Sequence, residues 1–349
     1  MPERLTGRLS VASFNTWGIH ILGSDLAARY TAIGAEFEAG RADAVCFQEV
    51  LSYWHLRLLT RRMPSFRHVS YRPSAVGPAG GLVTFSRRPV AVTAYRGFGT
   101  PPKVPGISRM TRFRARPKGA LVTRLAHPAL CIVNTHPVAN WDGDWSRTSR
   151  FYPLHRAHLD ALARIVASIG VPAVVCGDFN VDRDSSLFGD FMAETGLADA
   201  FEGRCPPTFR AEYLPAGKTP HCIDFILTTT GVKAASAGVL FAGQIALPGG
   251  PGYPSDHIGL HADLLLTSSA PRPGPGTPGP LRHDHGSLPS KSEANYPRSL
   301  ACGARSRPTR LRRRGRSEER ARRPARHSSG PIPGAGPAPR LSPDHPASR

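Results

Sequence analysis

Short apolar runs recur along the first three quarters of the chain, and each ends on a polar residue. Leu9–Phe14 alternates loosely and stops at Asn15-Thr16-Trp17-Gly18-Ile19, which predicts a core strand delivering Asn15. Apolar positions at Leu26, Ala28, Ile33 and Phe37 predict an amphipathic helix over 25–37. Asp43–Phe47 reads as a buried strand followed by Gln48-Glu49-Val50, and Tyr53–Met63 as a helix stopped by Pro64. Gly80-Gly81 opens a strand over 82–86. Arg87-Arg88-Pro89 then predicts a hairpin turn into a return strand over 90–95. Residues 97–117 read as loop with a basic cluster at Arg109, Arg112, Arg114, Arg116 and Lys118. Strands over 119–126 and 130–135 meet at His127-Pro128, and the second delivers His136. A polar turn over 140–145 leads to helical periodicity over 146–169, with Pro153 marking its true start or a kink. The apolar run Val171–Val175 ends in Cys176-Gly177-Asp178-Phe179-Asn180. A short helix over 185–195, a strand over 222–227 with Asp224 near its start, and Tyr253-Pro254-Ser255-Asp256-His257 before a last strand over 258–266 complete the pattern.

Strands alternating with helices place residues 1–266 in the α/β class as one domain. Beyond Leu266 the composition shifts to Pro, Gly, Arg, Ser and His, which cannot bury enough apolar surface to offset ordering entropy, so 267–349 reads as a disordered tail. The net charge of +20 divides unevenly: residues 1–266 hold 28 Lys and Arg against 20 Asp and Glu, the tail 17 against 5. The run 305–326 could serve as an arm for nucleic acid or anionic lipid, but its lack of periodicity favours a solvated tail without a partner. None of the six cysteines forms a CxxC pair, which argues against a zinc knuckle. Cys46, Cys131 and Cys176 lie in apolar runs as buried thiols and fit a reducing compartment. No apolar block follows the first ten residues, and no apolar run reaches 18 residues, so a cytoplasmic protein is expected.

The polar strand exits carry the candidate chemistry: Asn15, Glu49, His136, Asp178 with Asn180, Asp224, and Asp256 with His257. In layered α/β folds such ends converge on one crevice. Carboxylate and amide oxygens suit a hard divalent cation, and histidines supply an acid/base near neutral pH. Together they match hydrolysis of a phosphate ester, which needs a cation, a base for water and donors for the developing charge. Each residue also has a plainer reading: Glu49 as a helix N-terminal charge, Asp256-His257 as a surface turn, His136 as a satisfied strand-end histidine. His155, His158, His221 and His261 read as structural or surface.

Asn15-Thr16-Trp17, Phe47-Gln48-Glu49, Asn134-Thr135-His136, Gly177-Asp178-Phe179-Asn180, Ile223-Asp224-Phe225 and Ser255-Asp256-His257 occur in the order seen in one family. Over about residues 8 to 266 the chain resembles the endonuclease/exonuclease/phosphatase superfamily, with its deoxyribonuclease I-like fold. The resemblance implies a four-layer sandwich of two packed mixed β-sheets flanked by helices, and a phosphoesterase dependent on Mg²⁺ or Mn²⁺. It also implies roles. Glu49 would be the principal metal ligand, with Asn15; Asp256 would be a ligand or orient the site. His257 would be the general base, oriented by Asp224. His136 would stabilise the phosphate, and Asp178 and Asn180 would position water, phosphate or a second metal.

Asn15-Thr16-Trp17-Gly18 and Lys118-Gly119-Ala120 are similar to segments of the neutral sphingomyelinase branch, which makes Lys118 a phosphate contact beside Asn180. The expectation is therefore a monomeric phosphodiesterase acting on a phospholipid headgroup, with peripheral membrane contact. Trp141, Trp145, Phe151 and Tyr152 would be either an apolar rim or, by the stronger reading, helix-packing core. The alternatives are a nuclease using the basic cluster, a phosphatase of a small metabolite, and a binding module on an inactive enzyme fold.

Overall fold

A computed structural model of the chain describes residues 4–19 and 25–268. In chain order the elements are β1 (Arg4–Asn15), α1 (Leu26–Ala39), β2 (Ala44–Gln48), α2 (Tyr53–Arg62), β3 (His68–Ser70), β4 (Val83–Ser86), β5 (Val90–Gly97) and α3 (Arg109–Ala115). They continue as β6 (Gly119–Leu125), β7 (Cys131–Thr135), α4 (Tyr152–Ala167), β8 (Ala173–Asp178), α5 (Ser186–Thr195), β9 (Ala198–Asp199), β10 (Asp224–Thr228), β11 (Val232–Leu240), β12 (Ile245–Leu247), β13 (Gly250–Gly252) and β14 (Gly259–Ser268).

Two six-stranded mixed sheets form, in the orders β11-β14-β1-β2-β4-β3 and β5-β6-β7-β8-β10-β9, beside a small β12-β13 hairpin. Each sheet has one parallel pair at its centre, β1 with β2 and β7 with β8, between antiparallel neighbours. The period-2 pattern explains the layers. Leu9 and Val11 of β1 and Ala44 and Cys46 of β2 join Ile132, Val133, Val174, Cys176 and Ile226 in the core shared with the second sheet. The alternate residues Ala12, Phe14, Val45 and Phe47 turn the other way and pack with Tyr30, Ile33, Phe37 and Leu59 of α1 and α2. Leu159, Leu162 and Val166 of α4 and Leu187, Phe188 and Phe191 of α5 cover the second sheet. The result is helix, sheet, sheet, helix.

Helix starts follow local chemistry. Asp25 caps α1 by accepting from the Ala28 amide at 2.9 Å, and Ser185 caps α5 by accepting from Phe188 at 3.2 Å. The periodicity over 146–169 becomes helix only from Tyr152, with proline in the first turn, where its missing N–H has no partner to lose.

Two expectations are corrected. β4 and β5 are not a hairpin: β4 pairs with β2 and β3, β5 with β6 in the other sheet. The intervening arginines are bound elsewhere. Arg87 donates to the carbonyls of Phe37, Glu38 and Gly40 at the end of α1, and Arg88 meets Asp43 at 2.8 Å, so the chain turns away from β4. The 97–117 segment is not all loop, because Ser108 accepts from Thr111 at 3.0 Å and starts α3. The short strands β3, β9, β12 and β13, and the Ala-, Ser- and Gly-rich β11, lack the alternation that would reveal them. The expected disordered tail lies, beyond Ser268, outside the described residues.

Candidate active site

The register sets the site. Asn15 ends β1 opposite Gln48 at the end of β2, Thr135 ends β7 opposite Gly177, and Asp224 opens β10 opposite Asp178. Both sheets thus end their central strands at one edge, and the residues just beyond those ends meet there. Buried amides tie the sheets together at this edge. Gln48 Nε2 donates to Asn134 Oδ1 at 2.8 Å, and Asn134 Nδ2 donates to the carbonyls of Phe47 and Val83, each at 3.0 Å.

Asp178 is the hub. Its carboxylate accepts from Asn15 Nδ2 at 2.9 Å, from the Asn180 amide at 2.9 Å and from Asn180 Nδ2 at 3.1 Å. His136 Nε2 lies 3.4 Å from Asp178 Oδ2, and His257 Nε2 lies 3.8 Å from the same oxygen. Burial alone would raise the Asp178 pKa, but His257, His136 and Asn15 outweigh it and hold the carboxyl below the usual carboxylate range. His257 donates from Nδ1 to Asp224 Oδ2 at 2.8 Å, which turns Nε2 toward the cleft. Burial disfavours a charge on His257, but the carboxylates of Asp224, Asp178 and Asp256 overcome this and raise its pKa well above the ordinary value.

Two glycines permit these approaches. A Cβ on Gly177, whose φ is 146°, would lie 1.9 Å from the Thr135 carbonyl oxygen, and one on Gly18 would lie 1.9 Å from that of Glu49. Glu49 itself is left-handed, with φ 61°, a rare state for a glutamate that suits a functional site. It is fixed there by the Tyr30 hydroxyl, which donates to its carbonyl at 3.1 Å, and by the Gly18 amide, which donates to Oε2 at 3.1 Å. Its Oε1 stands 4.0 Å from His136 Nε2, outside hydrogen-bond range.

Asp256 lies beside Glu49 and Asp178. Burial, with Glu49 and Asp178 adding to it, pushes its pKa up to about 6. A bound cation would relieve the repulsion among these carboxylates, whose oxygens are of the hard type that divalent ions take. Among the described residues, Asp178, Asp224 and His257 also present ligand atoms within 4.8 Å of one another. The Asp224–His257 hydrogen bond already occupies one side of that group. Lys118 is near enough to Glu49 and Asp178 to feel both charges; burial lowers its pKa to about 8 against their pull.

Asn15, Glu49, His136, Asp178, Asn180, Asp224, Asp256 and His257 all lie at this edge, and the structure adds supports that the sequence did not reveal. The Ser255 hydroxyl donates to the Asn15 carbonyl at 2.7 Å and accepts from the His257 amide at 3.1 Å. Thr208 Oγ1 accepts from the amides of Ile223 and Asp224 at 2.9 and 3.1 Å. Buried Arg29 donates to the carbonyls of Thr16, Trp17 and Pro254. Buried Arg210 donates to those of Ser255, Ala242 and Phe241. An arginine inside an amphipathic helix and another in a long loop carry no sequence signal of this role. The aromatic group divides: Phe151 is buried, Trp145 donates to the Asn180 carbonyl at 2.9 Å, and Trp141 faces solvent. A hollow of about 380 Å³ between the 200–206 loop and β11 contributes none of these side chains.

Two packed mixed sheets flanked by helices, with the polar strand exits gathered at one edge, give the deoxyribonuclease I-like architecture. The endonuclease/exonuclease/phosphatase family matches residues 12–257, and the chain belongs to that family. The fold is similar to that of sphingomyelinase C from Streptomyces griseocarneus, at 16% identity and TM-score 0.54 over 74% of this chain and 99% of that one. It is also similar to D. rerio TDP2 solved with a single-stranded DNA product, at 16% identity and TM-score 0.55 over 74% and 98%. A family protein from Bacteroides thetaiotaomicron gives 18% identity and TM-score 0.57 over 74% and 98%. Comparison with curated proteins finds no match.

Proposed function

We propose that the chain is a divalent-metal-dependent phosphodiesterase that hydrolyses a phospholipid headgroup in the manner of a sphingomyelinase. The observation that carries the hydrolytic reading is His257, buried, oriented by Asp224 through Nδ1 and facing Asp178 and Asp256 through Nε2. The lipid reading rests on the Asn15-Thr16-Trp17-Gly18 and Lys118-Gly119-Ala120 segments, which are similar to those of the neutral sphingomyelinase branch.

Glu49, Asn15 and Asp256 would hold the cation, Mg²⁺ or Mn²⁺. When bound among these carboxylates it neutralises phosphate oxygens, offsets the carboxylates' pull on His257 and leaves Nε2 free to accept a proton. The protein's own groups do the rest. Water attacks phosphorus in line, its oxygen forming the new P–O bond as its proton passes to His257 Nε2. The bond to the lipid oxygen breaks, and that oxygen takes a proton from solvent and leaves as the alcohol. His136 and Lys118 offer donors to the phosphate, and Asp178 and Asn180 position the water and the phosphate.

The test is phosphocholine release from sphingomyelin vesicles by the full chain, with and without Mg²⁺, beside plasmid DNA and a small phosphate monoester. The expected result is lipid turnover that needs Mg²⁺ and disappears in His257→Ala. DNA nicking without lipid turnover would move the protein to the nuclease reading.

A further inference from the structure

From Val50 to Trp141 the sequence carries fifteen Lys and Arg and no Asp or Glu. This stretch runs from the end of β2 to just beyond β7, and it delivers Lys118 and His136 to the site. Some of its cations are structural, as Arg87 and Arg88 show. Others, including Arg72, Arg109, Arg114 and Arg116, face solvent. Acids from outside the stretch do reach this surface, as Asp43 meets Arg88 and Asp142 meets Arg150. The exposed arginines still leave the rim with an excess of positive charge that favours an anionic partner.

Apolar side chains stand among these cations. Buried Ala115 anchors α3 on Val138 and Leu154. At about 100° per residue, Met110, Phe113 and Arg114 then share one outward face. Met110 is 58% and Phe113 67% exposed. Trp141, 68% exposed, stands on the next loop, and Arg150 braces the two loops together. Its guanidinium bonds both oxygens of Asp142 at 2.7 Å and the Gly106 carbonyl at 3.0 Å. Val76, 74% exposed, sits on a third loop, which packs at Gly80 against Tyr95 and the Pro117 carbonyl. Leu51, also exposed, follows Glu49 by two residues.

We propose that this rim, centred on α3, is a docking surface for an anionic lipid bilayer. The proposal deepens the headgroup-hydrolase reading and rests on it. The rings of Phe113 and Trp141 suit either a base or a bilayer, but Leu51, Val76 and Met110 are aliphatic and offer no ring to stack on a nucleobase and no donor to a phosphate backbone. At a bilayer, apolar side chains enter the acyl boundary while neighbouring arginines meet anionic headgroups. The Lys118 amide donates to the Ala115 carbonyl of α3 at 3.2 Å, so the rim and the site adjoin.

The full chain would be co-sedimented, in EDTA, with phosphatidylcholine vesicles and with vesicles in which about a third of the lipid is phosphatidylserine. A short single-stranded DNA serves as the competing ligand. The variants are M110S/F113S and R114E/R116E, whose exposed positions leave melting temperature unchanged. The proposal expects binding to the anionic vesicles that weakens with salt, falls about tenfold in M110S/F113S and at least about tenfold in R114E/R116E. It is overturned if the anionic vesicles are not bound, if M110S/F113S binds them as the unaltered chain does, or if the arginine variant loses only DNA. Because EDTA removes turnover from the readout, failure to hydrolyse sphingomyelin with vesicle binding intact overturns the substrate reading alone.

Discussion

His257 shows how one side chain acquires a role from its surroundings. An imidazole in water sits near neutrality; here three carboxylates act on a ring that solvent barely reaches. Its hydrogen bond to Asp224 fixes both tautomer and direction. His257→Ala is therefore expected to lower kcat by about 10²–10⁴-fold and, because it leaves the buried Asp224 carboxylate unpaired, to lower the melting temperature as well. Asp224→Asn, which keeps the shape but cannot support the charged ring, should lower kcat with little change in KM. Steady-state kinetics on both variants checks this; an unchanged kcat in His257→Ala would remove the histidine from the chemistry.

At the scale of elements, the parallel pairs matter most. β7 and β8 approach so closely at the site that Gly177 has no room for a methyl group. Gly177→Ala should destabilise the fold by about 3 kcal/mol or more, by strain and lost pairing, and lower activity by displacing Asp178. Urea midpoints report the first effect and kinetics the second. The same scale explains what the sequence hid. Arg87-Arg88-Pro89 has the composition of a hairpin turn, yet its arginines are drawn to α1 and Asp43, which lie far off in sequence. In the 97–117 segment, the single capping serine before a basic run was outweighed by the prolines and charges around it.

For the whole molecule, the carboxylate cluster and the buried histidines couple stability to solution conditions. A cation that binds the folded site alone raises stability by about 2.7 kcal/mol at a hundred times its dissociation constant. Saturating Mg²⁺ should thus raise the melting temperature, and Glu49→Gln should abolish most of the increase. Differential scanning calorimetry decides it, with no shift in the unaltered chain counting against a metal at Glu49. His155 and His158 give the pH dependence. Burial lowers their pKa values to about 4 and about 3, and His158 Nδ1 accepts from the Val138 amide at 3.4 Å, so the ring must be neutral. Both folded values lie below the unfolded value, so the stability they confer is complete above about pH 6.5 and is lost as pH falls toward 4. By themselves they remove about 2–3 kcal/mol per pH unit over that window, and the raised folded values of Asp256 and His257 offset part of this between pH 7 and 5. Urea unfolding at pH 7 and pH 5 tests this, and His158→Gln should make the profile shallower.

The sequence by itself determined the alternating strands and helices, the polar residue at each strand exit and the order of the motifs. These are local properties: a period of two, a glycine that lets chains touch, an Asp-x-Asn turn. From them the α/β class, the set of residues from Asn15 to His257 and the family resemblance were legible, and the two-sheet sandwich only as what that resemblance implies. Tertiary structure alone decided which exits meet, because that depends on the register of β1 with β2, of β7 with β8 and of β8 with β10. It also decided that Arg29 and Arg210 are buried clamps on the loops carrying Trp17 and Ser255, since their carbonyl partners are mostly distant in sequence. The roles of Ser255 and Thr208 arise in the same way. Hydrogen bonds across a sandwich join residues whose sequence separation carries no periodic signal, so only the folded chain brings them together.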